Sequence, residues 1–211
     1  MTATKICGLS TPEAVDAAVA GGAAYLGFVF FPGSPRSVTA EQASALARRA
    51  QGHARSVALL VDPDEALLED VLLGFDPDMV QLHGIETPQR VAAVRAAADR
   101  PVIKALAVAQ SADLDAASAY AAADYLMFDA KPPADAERPG GLGLSFDWSL
   151  LHGRAFGKPW FLAGGLTPGT VGDAVRTSGA PMVDVSSGVE RAPGVKDPAL
   201  IAAFLDAVRQ A

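Results

Sequence analysis

Apolar and polar positions along this chain follow two periods in alternation. Short apolar runs recur near Thr4 to Cys7, Tyr25 to Phe30, Arg55 to Val61, Met79 to Leu82, Val102 to Leu106, Tyr125 to Phe128, Pro159 to Leu162 and Met182 to Val185. Runs of this length bounded by turn residues read as strands. Between them, Pro12 to Ala20, Ala40 to Ala50, Asp64 to Leu73, Pro88 to Ala98, Ala112 to Ala121, Phe146 to Leu151, Pro168 to Thr177 and Pro198 to Arg209 repeat apolar residues every three or four positions. That is the spacing of a helix with one buried face. The pairs Thr11-Pro12, Thr87-Pro88, Thr167-Pro168 and Asp197-Pro198 each put a capping side chain before a proline at the first helical position.

Eight strand-helix units in 211 residues match the compact form of a (β/α)8 barrel, whereas an open doubly wound sheet has fewer strands and a glycine fingerprint after its first. The expected fold is therefore α/β, a single (β/α)8 TIM-barrel domain over 1–211. The Pro- and Gly-rich connection from Ala130 to Ser145 is the longest, and is either a lid or binding loop or a tolerated insertion.

In such a barrel the side chains at the C-terminal ends of the strands converge on one mouth. Here those ends supply Cys7, Arg36 a few residues after the second strand, Asp62, Gln81 and His83, Asp129, Gly164-Gly165, and Asp184 with Ser186, Ser187 and Gly188. Alternation places Lys5 and Cys7 on one face of the first strand and Ile6 on the other. Glycine-rich segments after the seventh and eighth strands are where this fold commonly cradles phosphate on backbone N–H groups; turns that serve only connectivity are the alternative.

Composition narrows the function classes. One cysteine excludes an intrachain disulfide framework, and no N-terminal segment joins basic residues to a long apolar run, so the cytoplasm is expected. No apolar run approaches a bilayer span, so no membrane partner is expected. A formal charge of -7 with no basic cluster argues against nucleic acid, while a small anionic substrate remains open. The CxxC, HExxH, GxxxxGK[ST] and EF-hand patterns are missing, so no metal or nucleotide site is announced.

Six segments carry a resemblance. Lys5-Ile6-Cys7-Gly8, Gly27-Phe28-Val29-Phe30 running on to Ser34-Pro35-Arg36, Val80-Gln81-Leu82-His83-Gly84, Phe161 to Leu166, Asp184 to Glu190, and Pro193-Gly194-Val195-Lys196-Asp197 together resemble the phosphoribosylanthranilate isomerases of tryptophan biosynthesis. The resemblance implies a barrel enzyme that performs an Amadori rearrangement of a phosphorylated aminoaldose with no cofactor. It implies Cys7 as general base and Asp129 as general acid, with Arg36 near the anthranilate carboxylate. Phosphate would lie against Gly164, Gly165, Ser187 and Gly188.

Gln81, His83 and Asp184 complete the expected substrate-binding set. His83 is either an acid-base group or a hydrogen-bonded wall, with Gln81 behind it. Asp184 either orients the substrate or pairs with Lys5, and Lys5 either steadies a thiolate or serves that pair. Three departures from the family pattern stand out: Leu142 where a polar residue is usual, Asp62 where asparagine is common, and Ala130-Lys131 after Asp129 in place of a small hydroxyl residue. Two other readings are a histidine-pathway aminoaldose isomerase, which has two repeated halves and an aspartate where Cys7 stands, and a non-catalytic metabolite-binding barrel. Either a monomer or a homodimer fits the pattern.

Overall fold

Each apolar run becomes a parallel strand, and the eight strands close into a barrel in chain order. They are β1 (Ala3–Cys7), β2 (Tyr25–Phe30), β3 (Arg55–Leu60), β4 (Met79–Leu82), β5 (Val102–Val108), β6 (Tyr125–Ala130), β7 (Trp160–Leu162) and β8 (Met182–Val185). The computed structural model describes residues 2–50, 52–133, 135–136 and 139–211. Of the connection 130–145, residues 134, 137 and 138 therefore lie outside the described residues. Among the described residues, no helix is long and apolar enough to cross a membrane.

Among the described residues, six α-helices pack outside the barrel: α1 (Pro12–Ala20), α2 (Ala40–Ala47), α3 (Glu65–Gly74), α4 (Pro88–Ala98), α5 (Val171–Ser178) and α6 (Pro198–Arg209). The caps behave as the sequence suggests in α1, α4 and α6, where Thr11, Thr87 and Asp197 accept N–H groups of the first turn and proline follows. The Thr167-Pro168 start is corrected. There the Thr170 hydroxyl accepts the Thr167 N–H at 3.0 Å, closing a local turn, and α5 begins only at Val171.

Two other expected helices are 3₁₀ segments, Ser111–Ala119 and Trp148–Leu151. In the first, the Asp113 carboxylate accepts the N–H groups of Ala109 and Gln110, a local bond of the kind that competes with α-helical pairing. The second is only four residues long and lies between loops. One element had no counterpart in the expected pattern: an antiparallel hairpin of β9 (Glu190–Ala192) and β10 (Val195–Lys196) after β8.

Alternation along the strands sorts the side chains into two cores. Ile6, Phe28, Leu60, Leu82, Leu126, Phe128 and Val183 point outward against the helices, while Val57, Met79, Ile103, Met127, Phe161 and Met182 fill the barrel. Tyr25 and Phe161 meet edge-on inside, ring centroids 5.3 Å apart. Above this plug Lys5, Gln81 and Asp184 are buried polar residues, and the active-site level begins above them.

A second buried charge lies outside the barrel. Lys104 on β5 donates to Glu86 at 2.6 Å and to the Gly84 carbonyl at 2.8 Å, while Glu86 accepts the N–H groups of Asp62 and Gly84. The pair thus ties together the loops after β3 and β4. Lys104→Met strands a carboxylate in the interior and is expected to cost about 3–5 kcal/mol, read as a lowered urea midpoint. Adding Glu86→Leu should not restore the midpoint, because the Asp62 and Gly84 N–H groups then lose their acceptor; full recovery would mean that the ion pair alone mattered.

Candidate active site

The site is built upward from β1. Lys5 and Cys7 share its inner face, and the neighbouring strand offers Gly27 opposite Cys7. A Cβ on Gly27 would stand 2.9 Å from Lys5 Nζ and 3.0 Å from Cys7 Sγ, so the bare glycine provides the space in which ammonium and sulfur approach each other. Lys5 also donates to Asp184 Oδ1 at 2.8 Å, across the seam where β1 pairs with β8. Lys5 is therefore paired with Asp184 and also lies on the face of β1 that carries Cys7.

The charges set the protonation tendencies. Burial pulls the Lys5 ammonium down, but Asp184 and Cys7 together more than reverse it, and its pKa lies above the usual value. Burial pushes the Cys7 thiol up; Asp184 adds to that and Lys5 opposes it, leaving the thiol above its ordinary 9.0. Burial thus favours the thiol form of Cys7, with the Lys5 cation opposing it.

Across the barrel, β6 ends in Asp129. Its Oδ1 accepts the Ala130 N–H at 2.8 Å, and its Oδ2 lies 3.1 Å from His83 Nε2. A main-chain donor thus stands where the family pattern suggests a hydroxyl residue. His83 Nδ1 lies 2.8 Å from the amino nitrogen of Gln81, which also reaches Met127 Sδ at 3.3 Å. A donor at Nδ1 leaves the imidazole proton on Nε2, facing Asp129. His83 is a hydrogen-bonded wall beside the carboxyl group, with Gln81 behind it. The loop after β6 covers the pair, since a Cβ on Gly140 would be 2.7 Å from His83 Nε2.

Arg36 is only 4% exposed, held by two bonds to Glu190: Nε to Oε1 at 2.7 Å and Nη2 to Oε2 at 2.8 Å. Nη2 also donates to the Gly141 carbonyl at 3.3 Å. Lys196 on β10 donates to Glu190 Oε1 at 2.7 Å and to the Ser186 carbonyl at 2.9 Å. Burial pulls the Lys196 ammonium down and Arg36 pushes the same way, so its pKa is lowered despite Glu190. For Glu190 burial works upward, and Arg36 with Lys196 more than reverse it, leaving the carboxyl below its usual range.

Three loops close the other side. A Cβ on Gly188 would lie 1.8 Å from the Leu166 carbonyl oxygen, and one on Gly165 would lie 3.0 Å from that of Leu144. The backbones after β6, β7 and β8 thus run in direct contact, as a surface of main-chain groups requires. Gly164, Gly165, Ser187 and Gly188 all line the pocket they frame, as do Cys7, Arg36, His83, Asp129, Leu142 and Asp184. The pocket encloses about 830 Å³, its open mouth included, enough for a small phosphorylated metabolite.

Asp62 is turned away from the pocket: its carboxylate accepts the Ile85 N–H at 2.9 Å, so it adds no charge beside a bound anion. His53 and His152 are exposed. Among the described residues, no group of three or more His, Cys, Asp or Glu side chains is arranged to hold a metal ion.

Comparison with known proteins matches residues 4–207 to the family described as N-(5'phosphoribosyl)anthranilate (PRA) isomerase. This chain belongs to that isomerase family. It is 56% identical over 209 residues to the N-(5'-phosphoribosyl)anthranilate isomerase of Caulobacter vibrioides, covering 98% of this chain and 95% of the relative. It is 58% identical over 203 residues to that of Rhodospirillum centenum, covering 95% of each. The solved phosphoribosyl anthranilate isomerase of Thermotoga maritima superposes with a TM-score of 0.88 at 32% identity over 100% of both chains. Another member was solved in complex with reduced 1-(o-carboxyphenylamino)-1-deoxyribulose 5-phosphate, and matches with a TM-score of 0.84 at 30% identity over 100% of both chains.

Within this isomerase, sequence reasoning missed Glu190 and Lys196 as parts of the site. Both stand in segments that carry the family resemblance, but nothing in their spacing reveals that they meet Arg36, 154 residues from Glu190. The state of the thiol is directly testable. The rate of Cys7 alkylation by iodoacetamide should inflect at a pH above 9.0, because only the thiolate reacts and burial disfavours it. An inflection below that value would show that Lys5 outweighs burial.

Proposed function

We propose that Cys7 and Asp129 are the base and acid of the isomerisation for which the family is named. The chain is an aldose–ketose isomerase of tryptophan biosynthesis, acting on N-(5'-phosphoribosyl)anthranilate. One observation carries the assignment of roles: a thiol from β1 and a carboxyl group from β6 line the same pocket, each with its own fixed partner, Lys5 for one and His83 for the other.

Acting as the acid, Asp129 gives a proton to the furanose ring oxygen as the bond from that oxygen to C1' breaks. The nitrogen lone pair forms a protonated Schiff base. Asp129, now a carboxylate, is steadied by the His83 Nε2–H and the Ala130 N–H. The Schiff-base cation acidifies the C2' hydrogen, which Cys7 removes as a thiolate. The resulting enolamine gains a proton at C1' as its C2' hydroxyl loses one, giving the keto product, 1-(2-carboxyphenylamino)-1-deoxyribulose 5-phosphate.

The raised thiol fits this order of events. A cation formed in the pocket by the first step favours the thiolate when the second step needs it. Arg36 takes the anthranilate carboxylate, and the main-chain surface around Gly164, Gly165, Ser187 and Gly188 takes the phosphate. Asp184, held by Lys5, supports the base side of the pocket and Gln81 supports His83. We assign the chain to a single domain over 1–211 in the cytoplasm. It works as a monomer or a homodimer, and a relative is known as monomers generated from the dimeric Thermotoga maritima protein.

The test follows the loss of anthranilate fluorescence on turnover. Cys7→Ala and Asp129→Asn are each expected to lower kcat by at least about a hundredfold, with modest change in substrate binding. Full activity in either variant removes that residue from its role. Arg36→Met should mainly raise KM, and wild-type behaviour would end its assignment.

A further inference from the structure

The Arg36 side chain is held more tightly than an anion-binding arginine needs to be for affinity alone. Its Nε and Nη2 edge is occupied by Glu190 in a two-bond contact at 2.7 and 2.8 Å. Glu190 accepts from Lys196 at 2.7 Å and from the Gly194 N–H at 3.2 Å as well. Both carboxylate oxygens are thus used twice, and the side chains of Arg36, Glu190 and Lys196 are all at most 4% exposed. From behind, the stem of Arg36 packs on Gly8, where a Cβ would meet its Cδ at 2.6 Å.

We infer that Glu190, with Lys196 as its counterion, is a positioning residue that presents one edge of Arg36 to the substrate carboxylate. The inference rests on the reading that Arg36 takes that carboxylate. With the Nε side engaged, the guanidinium can offer only Nη1 and the outer hydrogen of Nη2, which now donates to the Gly141 carbonyl at a long 3.3 Å. A planar carboxylate fits that remaining edge with two parallel bonds, displacing the Gly141 carbonyl from Nη2. The hairpin β9–β10 exists in this position because Glu190 and Lys196 are paired across it.

The same three charges explain why the arginine needs a partner. Arg36 and Lys196 are two buried cations near each other, and without Glu190 they would repel. One carboxylate between them leaves a formal surplus of a single positive charge, matched to a single carboxylate on the ligand. Glu190 therefore sets both the direction and the charge of the subsite. This makes it a determinant of selectivity for the carboxylated ring and leaves the proton-transfer steps to other residues.

The experiment compares binding of two ligands by calorimetry: the reduced rearrangement product carrying the ring carboxylate, and the same compound made from aniline, which lacks it. Glu190→Gln should weaken the carboxylated ligand by about tenfold or more and leave the aniline compound unchanged, with KM rising and kcat nearly constant. In an Arg36→Met background Glu190→Gln should change neither ligand further. Equal weakening of both ligands would overturn the inference in favour of a general structural role. So would retained discrimination in Glu190→Gln when Arg36→Met has lost it, which leaves the Arg36 assignment standing. If Arg36→Met itself keeps full discrimination, the underlying assignment fails and this inference with it. Should Glu190→Gln not fold, Glu190→Asp keeps the charge but shortens the reach, and the same selective loss is expected.

Discussion

A lysine buried inside a barrel of apolar side chains is the constraint from which this structure follows. Lys5 and Asp184 are direct register partners across β1 and β8, the first and last strands, and their side chains meet at 2.8 Å on the inner face. Lys5 has no exposed surface and Asp184 little, so the buried ammonium is tolerable because the carboxylate is there. A slip of one residue in either strand would turn its own charge toward the outer core, among Ile6, Val183 and Val185, and leave the other unpaired inside. The pair is therefore a poor source of net stability and a strong selector of register. It also fixes the surroundings of Cys7, which stands one step up the same face of β1.

From that seam the two halves of the mouth acquire different electrostatics. The β1 and β8 side holds paired charges, Lys5 with Asp184 and Lys196 with Glu190, and between them the thiol. The β4 and β6 side holds a chain of hydrogen bonds from Gln81 through His83 to Asp129. Separate environments let one pocket keep the sulfur proposed as base and the carboxyl group proposed as acid without each neutralising the other directly. The loop over Asp129 and the hairpin beside Arg36 then close the space between the two sides.

The strands were legible because a parallel strand is buried on both faces, and eight apolar runs punctuated by turn residues leave little else to build. Cys7, Asp129, His83 and the glycine pairs were legible as strand ends for the same reason. What escaped the sequence depended on local competition or on distance along the chain. Thr170 claims the Thr167 N–H, so a good capping pair does not start α5. Asp113 draws the backbone N–H groups of Ala109 and Gln110 to itself, and a stretch with helical spacing becomes 3₁₀. Glu190 and Lys196 carry no local signal of their own, since their value lies in the ion pairs that link them to an arginine on another loop. Asp62 looked like a charge in the mouth, but its positive φ of 43° swings it to the Ile85 N–H instead.

The assigned roles also divide binding from rate. Substrate and product carry the same phosphate and the same ring carboxylate, so grips on those two anions are alike in both and in the transition states between them. Such uniform binding sets the concentration range in which the enzyme works and adds nothing to the chemical step once the site is filled. Acceleration must come from groups whose interactions change as bonds change, and on the rim these are the thiol and the carboxyl group. That is a physical reason for a restrained anion site. A tighter grip on the two anions would hold the product as firmly as the substrate, and would slow its departure without hastening either proton transfer.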